Sequence, residues 1–275
     1  MQNIIKEYEN TPVEKQEEKY EEVLNNLFNI EKVFMPVSIE NEKLNPFLTK
    51  NTFGDGEITI RIFSEMEIGA NFFRKYNLMN DDTKALLEFS LKEFIETLKN
   101  GLYDGIERVL IDDGDHSIQD TATNVLKSYF KYIEKPDLYD EELIKNITTL
   151  NCIKTKGYDV LTISNLRKKN SLLEEYSLSD EAKSLVRTEN GKNVVPLFFY
   201  EEKADEYGIE NGYTGDNGLP YKGYLNEHSF HDIIMELQDK VDEIELYTEF
   251  ECLKFPISSL VELMEKIGFH SYFTS

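Results

Sequence analysis

Apolar residues recur along this chain at two spacings, three-to-four and two, and the switches between them mark the elements. Tyr20, Val23, Leu24, Leu27 and Phe28 stand at helical spacing. They predict an amphipathic helix over about 12–29, after a few loose residues, with Thr11 as N-cap, Pro12 in the first helical position and Glu14 three residues past the cap. Lys32 to Ser38 follows as a short apolar strand. Pro36 has no N–H to give a ladder, so this strand is expected at a sheet edge or to end at that residue. A glycine-acidic turn at Gly54, Asp55 and Gly56 then feeds a strand carrying Ile58, Ile60, Ile62 and Phe63, which passes into an acidic helix start at Glu65. A long helix capped by Asp81 or Asp82 is expected next, with Leu86, Leu87, Phe89, Phe94, Ile95 and Leu98 on its apolar face and its end at Asn100-Gly101. Ile106 to Ile111 reads as a strand. The acidic turn Asp112 to Asp115 leads to a helix from about Ile118 to Tyr132.

Beyond the break at Lys135-Pro136 and a short helix around Glu141 to Ile147, the order repeats. Tyr158 to Ser164 is a strand and a polar segment of helical character runs to about Ser184. The Asn190-Gly191 turn precedes a second strand-to-helix unit, Val194, Val195, Leu197, Phe198 and Phe199 into Glu201. A helix beginning at His228 or Ser229, a strand over Val241 to Thr248 and a closing helix from Pro256 to Ile267 complete the copy. From Ile58 to Val109 is 51 positions and from Val194 to Ile244 is 50, and Phe63 and Phe199 are taken as the matching core anchors. The fold class expected is α+β, two tandem similar domains, each a small mixed sheet with helices packed on one face. Its divisions are an N-terminal amphipathic helix over 1–30, a first domain over 31–135, a helical linker over 136–156 and a second, divergent domain over 157–275.

Charge narrows the partners. In 275 residues, 53 Asp and Glu face 30 Lys and Arg, a formal net charge of -23. A field of that sign repels phosphates and anionic headgroups, which argues against nucleic acid and membrane and suits a basic protein partner. Arg167-Lys168-Lys169 is the one basic cluster. Cys152 and Cys252 match no metal or redox spacing and read as small buried residues. No signal-peptide core and no apolar run of spanning length is present, so a cytoplasmic location is expected.

Val33-Phe34-Met35-Pro36-Val37, the glycine-acidic turn, and Phe63-Ser64-Glu65 at the strand-to-helix passage resemble the N-terminal domain of SseB-family proteins. Pro196-Leu197-Phe198-Phe199 with Glu201 resembles it again in the second half, and together the two cover most of Lys32 to Ile267. The resemblance implies a cytosolic protein without catalytic residues, of a kind found among bacterial accessory and immunity-like proteins. Where the family's third strand runs into an Asn-Pro turn, this chain has Asp112-Asp113-Gly114-Asp115-His116, so whatever that turn does is not carried over.

Candidate chemistry is sparse. Asp112, Asp113, Asp115 and His116 form the densest set of cation ligands, but a 12-residue calcium loop begun at Asp113 would put Ser117 fifth and Asn124 last, which fails. A solvated acidic turn capping the next helix accounts for them. His228 and His231 lack a third ligand for zinc and read as surface residues. No phosphate-binding glycine loop, nucleophile elbow or dinucleotide fingerprint occurs, so no cofactor is expected. Asn211 to Gly223 reads as a long flexible loop whose Tyr213 and Tyr221, with Tyr224 beyond, are contact-ready. The function expected is a non-enzymatic protein-protein interaction module using the 112–116 turn or these tyrosines. One alternative is an immunity or inhibitor protein that neutralises a basic toxin or nuclease by acidic complementarity. A metal-dependent hydrolase is the third, and a weak homodimer through an exposed strand is possible in any of them.

Overall fold

The computed structural model describes residues 1–50, 57–114, 116–163, 185–215 and 217–269. The chain divides into two compact units, Met1–Thr148 and Thr149–Ser275. The turn at Gly54 to Gly56, Asp115, and the polar segment read as helical up to Ser184 lie outside the described residues.

The first unit begins with two helices where one was expected, α1 (Gln2–Glu9) and α2 (Gln16–Phe28). Pro12 is extended (φ -56°, ψ 146°) and opens only the 3-10 turn Val13–Lys15, so the continuous helix starts four residues later than expected. Strand β1 (Lys32–Glu40) turns through Asn41 and Glu42, both at positive φ, into β2 (Lys43–Pro46). Next come β3 (Thr49–Lys50), β4 (Ile58–Ile62) and α3 (Met66–Lys75). The expected long helix after Asp82 is instead a strand and a helix, β5 (Lys84–Ser90) and α4 (Leu91–Gly101). Lys32 to Ser38 supplies a full antiparallel partner to residues 84–90. Ser90 then starts the helix with a capping box, accepting from the Glu93 N–H while the Glu93 carboxylate accepts from the Ser90 N–H. The chain continues through β6 (Ile106–Ile111), β7 (Ile118–Thr121) and α5 (Ala122–Tyr132). Residues 118–121, expected to open a helix, pair with β6, and Thr121 is the true cap, its Oγ1 accepting from the Asn124 N–H.

After a 3-10 turn, Pro136–Leu138, α6 (Glu141–Lys156) carries the boundary between the units. It is longer than the short helix expected there. The second unit holds β8 (Val160–Ile163), β9 (Arg187–Glu189), β10 (Lys192–Phe198), α7 (Glu201–Glu210), β11 (Lys222–Leu225), α8 (Glu227–Leu237), β12 (Glu243–Tyr247), β13 (Cys252–Pro256) and α9 (Ile257–Lys266).

Strand pairing shows that the units share one topology. The second has the order β11-β8-β10-β12-β13, with β9 on β10; β10 and β12 are parallel and every other pair antiparallel. In the first, β5-β1 and β4-β6-β7 follow that order, and an antiparallel bridge between Phe34 and Phe63 joins them. Ile60 faces Val109 and Val195 faces Ile244, 49 positions apart in both (109 − 60 and 244 − 195). Even α6 precedes β8 by a three-residue gap, as α2 precedes β1. Pro36 is tolerated inside β1 because its side of the strand faces the gap between the Phe63 bridge and the first β2 pair, Val37 with Pro46.

Helices cover both faces of the first sheet, not one. Phe63 packs with Phe72 and Phe73 of α3. Ile60, Ile62, Val109 and Ile111 alternate onto the opposite face and are also fully buried, with α4 and α5 in contact with β5 and β6. In the second unit the residue in Phe63's place is Phe198, packed on Ala204 and Tyr207 of α7. Phe199, expected as that anchor, is only half-buried. Among the described residues no helix is long and apolar enough to cross a membrane.

Candidate functional site

The acidic turn follows β6 in the first unit, and its carboxylates are turned to structural work. Asp112 is fully buried at φ 56°, a left-handed conformation that aspartate accepts more readily than most residues. Its Oδ1 accepts from the Ser64 N–H at 2.6 Å and its Oδ2 from the Ser64 hydroxyl at 2.7 Å. It therefore satisfies the backbone exactly where β4 gives way to α3. The second unit meets the same need differently: the matching N–H, of Phe199, donates to the Tyr247 carbonyl at 3.0 Å. Asp113 pairs with Arg61 Nε at 3.0 Å, and that guanidinium also binds Thr49 and lies 5.4 Å from the centre of the Phe72 ring. His116 turns to α1, its Nδ1 2.6 Å from a Glu9 carboxylate oxygen and its carbonyl accepting from Gln2 at 2.9 Å. Asp112, Asp113 and His116 thus face three different partners and do not converge. Asp115 lies outside the described residues.

The tyrosines belong to the second unit, and backbone hydrogen bonds close turns beside Tyr213 and Gly215. Tyr213 N–H donates to Gly208 and the Gly215 N–H to Leu219. Tyr213 is half-buried with its ring stacked on Tyr207 at 6.3 Å, and Tyr207 in turn contacts Phe198 and Tyr247. Tyr221 closes over Gly215, where an added Cβ would sit 2.7 Å from its ring. Of the three expected contact residues, Tyr224 on β11 is the open one, 58% exposed.

Sequence reasoning missed a polar centre beneath that aromatic cluster. Glu245 is 2% exposed in the middle of β12 and binds Arg187, Lys254 Nζ at 2.6 Å and the Tyr247 hydroxyl at 3.0 Å. Arg187 also binds the Tyr207 hydroxyl and lies 5.4 Å from that ring's centre. Burial pushes the Glu245 carboxyl up, but Lys254, Tyr247 and Arg187 outweigh it and hold it below the usual carboxylate range. Burial raises the neighbouring Cys252 thiol to about 11, which leaves it protonated and a poor nucleophile at neutral pH. These ties join β9, β12 and β13 to α7 through side chains. His231 lies 3.4 Å from Asp232, and among the described residues no three His, Cys, Asp or Glu side chains gather as a cation site. A groove of about 490 Å³ between α1 and α2 is lined by Glu7, Glu18, Lys19 and Glu22 among others, with Lys19 already paired to Glu7 and Glu22.

An exposed aromatic surface lies at one end of the second sheet. Because β10 and β12 are parallel and β8 and β11 run against β10 and β8 respectively, the ends of β10, β12 and β11 and the start of β8 share that end. It presents Phe250 at 89% exposure, Tyr224, Tyr158 at 49% and Tyr200 at 41%, with Tyr158 edge-on to Phe199 at 6.0 Å. Phe250 tips the β12-β13 turn. That turn is held by Thr248, whose N–H and hydroxyl donate to the Glu251 carbonyl while its Oγ1 accepts from the Glu251 N–H, so its shape does not depend on the Phe250 ring. The signal was present in the sequence as a phenylalanine between two glutamates.

No family model and no curated protein matches the chain. Among solved structures it is similar to Tic22 from Plasmodium falciparum, at 14% identity over 90% of this chain and 97% of that one, with a TM-score of 0.23. It is also similar to Anabaena Tic22 (protein transport), at 11% identity over 80% and 87% of the two chains, with a TM-score of 0.22. Likenesses of that size carry no argument about fold or role.

Proposed function

We propose that this chain is a non-catalytic protein-binding module whose anionic surface takes up a basic protein partner. The observation that carries the reading is the use of its cations. Lys19, Arg61, Arg108, Arg187 and Lys222 are each tied to carboxylates of the same chain, and among the described residues only two acids, Asp112 and Glu245, are buried, so the acids behind the formal net charge of -23 are largely at the surface. Such a field steers an oppositely charged protein and sets specificity. The SseB resemblance and a cytoplasmic location agree with this reading. A partner that is a basic toxin or nuclease is its narrower form, and finding a toxin gene beside this one on the chromosome would support that form. A metal-dependent hydrolase built on the acidic turn would require Asp112 and Asp113 to leave Ser64 and Arg61, with the backbone donor of Ser64 stranded.

The test is capture on the immobilised chain from extract at about 50 mM salt and elution at about 500 mM, where screening is several-fold shorter in range. A defined basic protein released by salt is expected. Recovery of no protein, or of acidic proteins only, contradicts the reading.

A further inference from the structure

We infer that the exposed aromatic end of the second sheet is the seat of a single amphipathic helix rich in Lys and Arg, supplied by the partner; this rests on the protein-binding reading above. The first argument comes from the duplication itself. In the first unit the turn between β6 and β7 is covered by the chain's own α1: Gln2 and Glu9 hold His116, and Ile5 on the same helix is fully buried. The matching turn of the second unit, between β12 and β13, leaves Phe250 89% exposed. Ahead of α6, where α1 would have its counterpart, the chain has only the 3-10 turn Pro136–Leu138. Among the described residues, one copy of the fold brings its own covering helix and the other has none in that place.

The second argument is chemical. Phe250 is more exposed than any other large hydrophobic side chain among the described residues, and covering such a ring removes apolar area from water, which favours binding. The aromatic residues alternate with acids along the chain, Tyr158-Asp159, Tyr200-Glu201-Glu202 and Glu249-Phe250-Glu251. A helix with one apolar face and lysines or arginines flanking it satisfies both sets at once, since rings accept cationic heads as well as apolar side chains. The charge pattern disfavours α1 of a second copy, whose sequence QNIIKEYE carries one lysine against two glutamates.

The test uses the full chain and synthetic peptides of about 18 residues: a Leu/Lys peptide with leucines at helical spacing, the same composition scrambled so that the apolar face is lost, and the Leu/Glu version. Titration is followed by fluorescence anisotropy for wild type and for Phe250→Ser, with circular dichroism confirming that the variant is folded. The Leu/Lys peptide is expected to bind wild type at least about tenfold more tightly than the scrambled peptide does, and Phe250→Ser to lose about that factor. Equal binding of helical and scrambled peptides, equal binding by Phe250→Ser, or tight binding of the Leu/Glu peptide overturns the inference. So does a dimer of the free chain that Phe250→Ser dissolves. If Phe250→Ser still captures the basic partner from extract, the protein-binding reading stands and only this site fails.

Discussion

At the scale of single residues, the acids that looked most like chemistry hold the backbone. Asp112 shows this directly, because its carboxylate meets both the N–H and the hydroxyl of Ser64 from a left-handed conformation. Asp112→Ala is expected to destabilise the chain by about 3 kcal/mol, combining a stranded buried donor with a left-handed alanine. Asp112→Asn, which keeps one acceptor and the conformational preference, should cost about 1 kcal/mol; urea unfolding separates the two. A loss from Asn as large as that from Ala would show that charge, not geometry, is what the site requires. Glu245 gives a pH signature. Its carboxyl is held below the usual range, so its contribution is present above the unfolded value and is lost as pH falls through the folded one. The stability gap between wild type and Glu245→Gln should therefore be widest near pH 7 and shrink below about pH 4, the ordinary glutamate range. A gap that stays constant with pH contradicts the ion-pair account. Neither role was legible beforehand: Asp112 and Ser64 are 48 positions apart and Glu245 and Arg187 are 58 apart, and nothing local ties them.

At the scale of elements, the duplication could be read from spacing, but its register could not. NVVPLFF is a continuous apolar run without alternation, so sequence cannot say which phenylalanine faces α7, and a one-residue slip exchanged Phe198 for Phe199. Pairing of Phe198 with Tyr247 fixes it. Residues 84–98 misled in the opposite way, since Leu86, Leu87, Phe94, Ile95 and Leu98 fit a helical period even though Ser90 and Glu93 already marked the helix start. The segment after α7 was expected to be flexible, and a substitution tests the difference. A Cβ on Gly208 would lie 2.1 Å from Pro220 Cγ and 2.7 Å from its Cβ. Gly208→Ala should thus cost about 2 kcal/mol by overpacking, against the small gain expected for alanine in an unencumbered helix. A stabilised variant would mean that Pro220 is not seated on α7.

At the scale of the whole molecule, composition carried further than any motif. The net charge of -23 is a sequence quantity; what the structure adds is that cations such as Arg61, Arg108 and Arg187 are engaged internally. Phe250 between two glutamates stood out in the sequence, but the aromatic end as a whole did not, because Tyr158, Tyr200, Tyr224 and Phe250 come together only through strand order. Recruitment of a basic protein, as proposed, rests on the anionic surface. It is tested most directly by the association rate of the purified captured partner, measured by stopped-flow mixing from about 50 to about 500 mM salt. A fall of at least about tenfold in association rate, with a much smaller change in dissociation, is the predicted result. An association rate that does not change with salt would contradict the account.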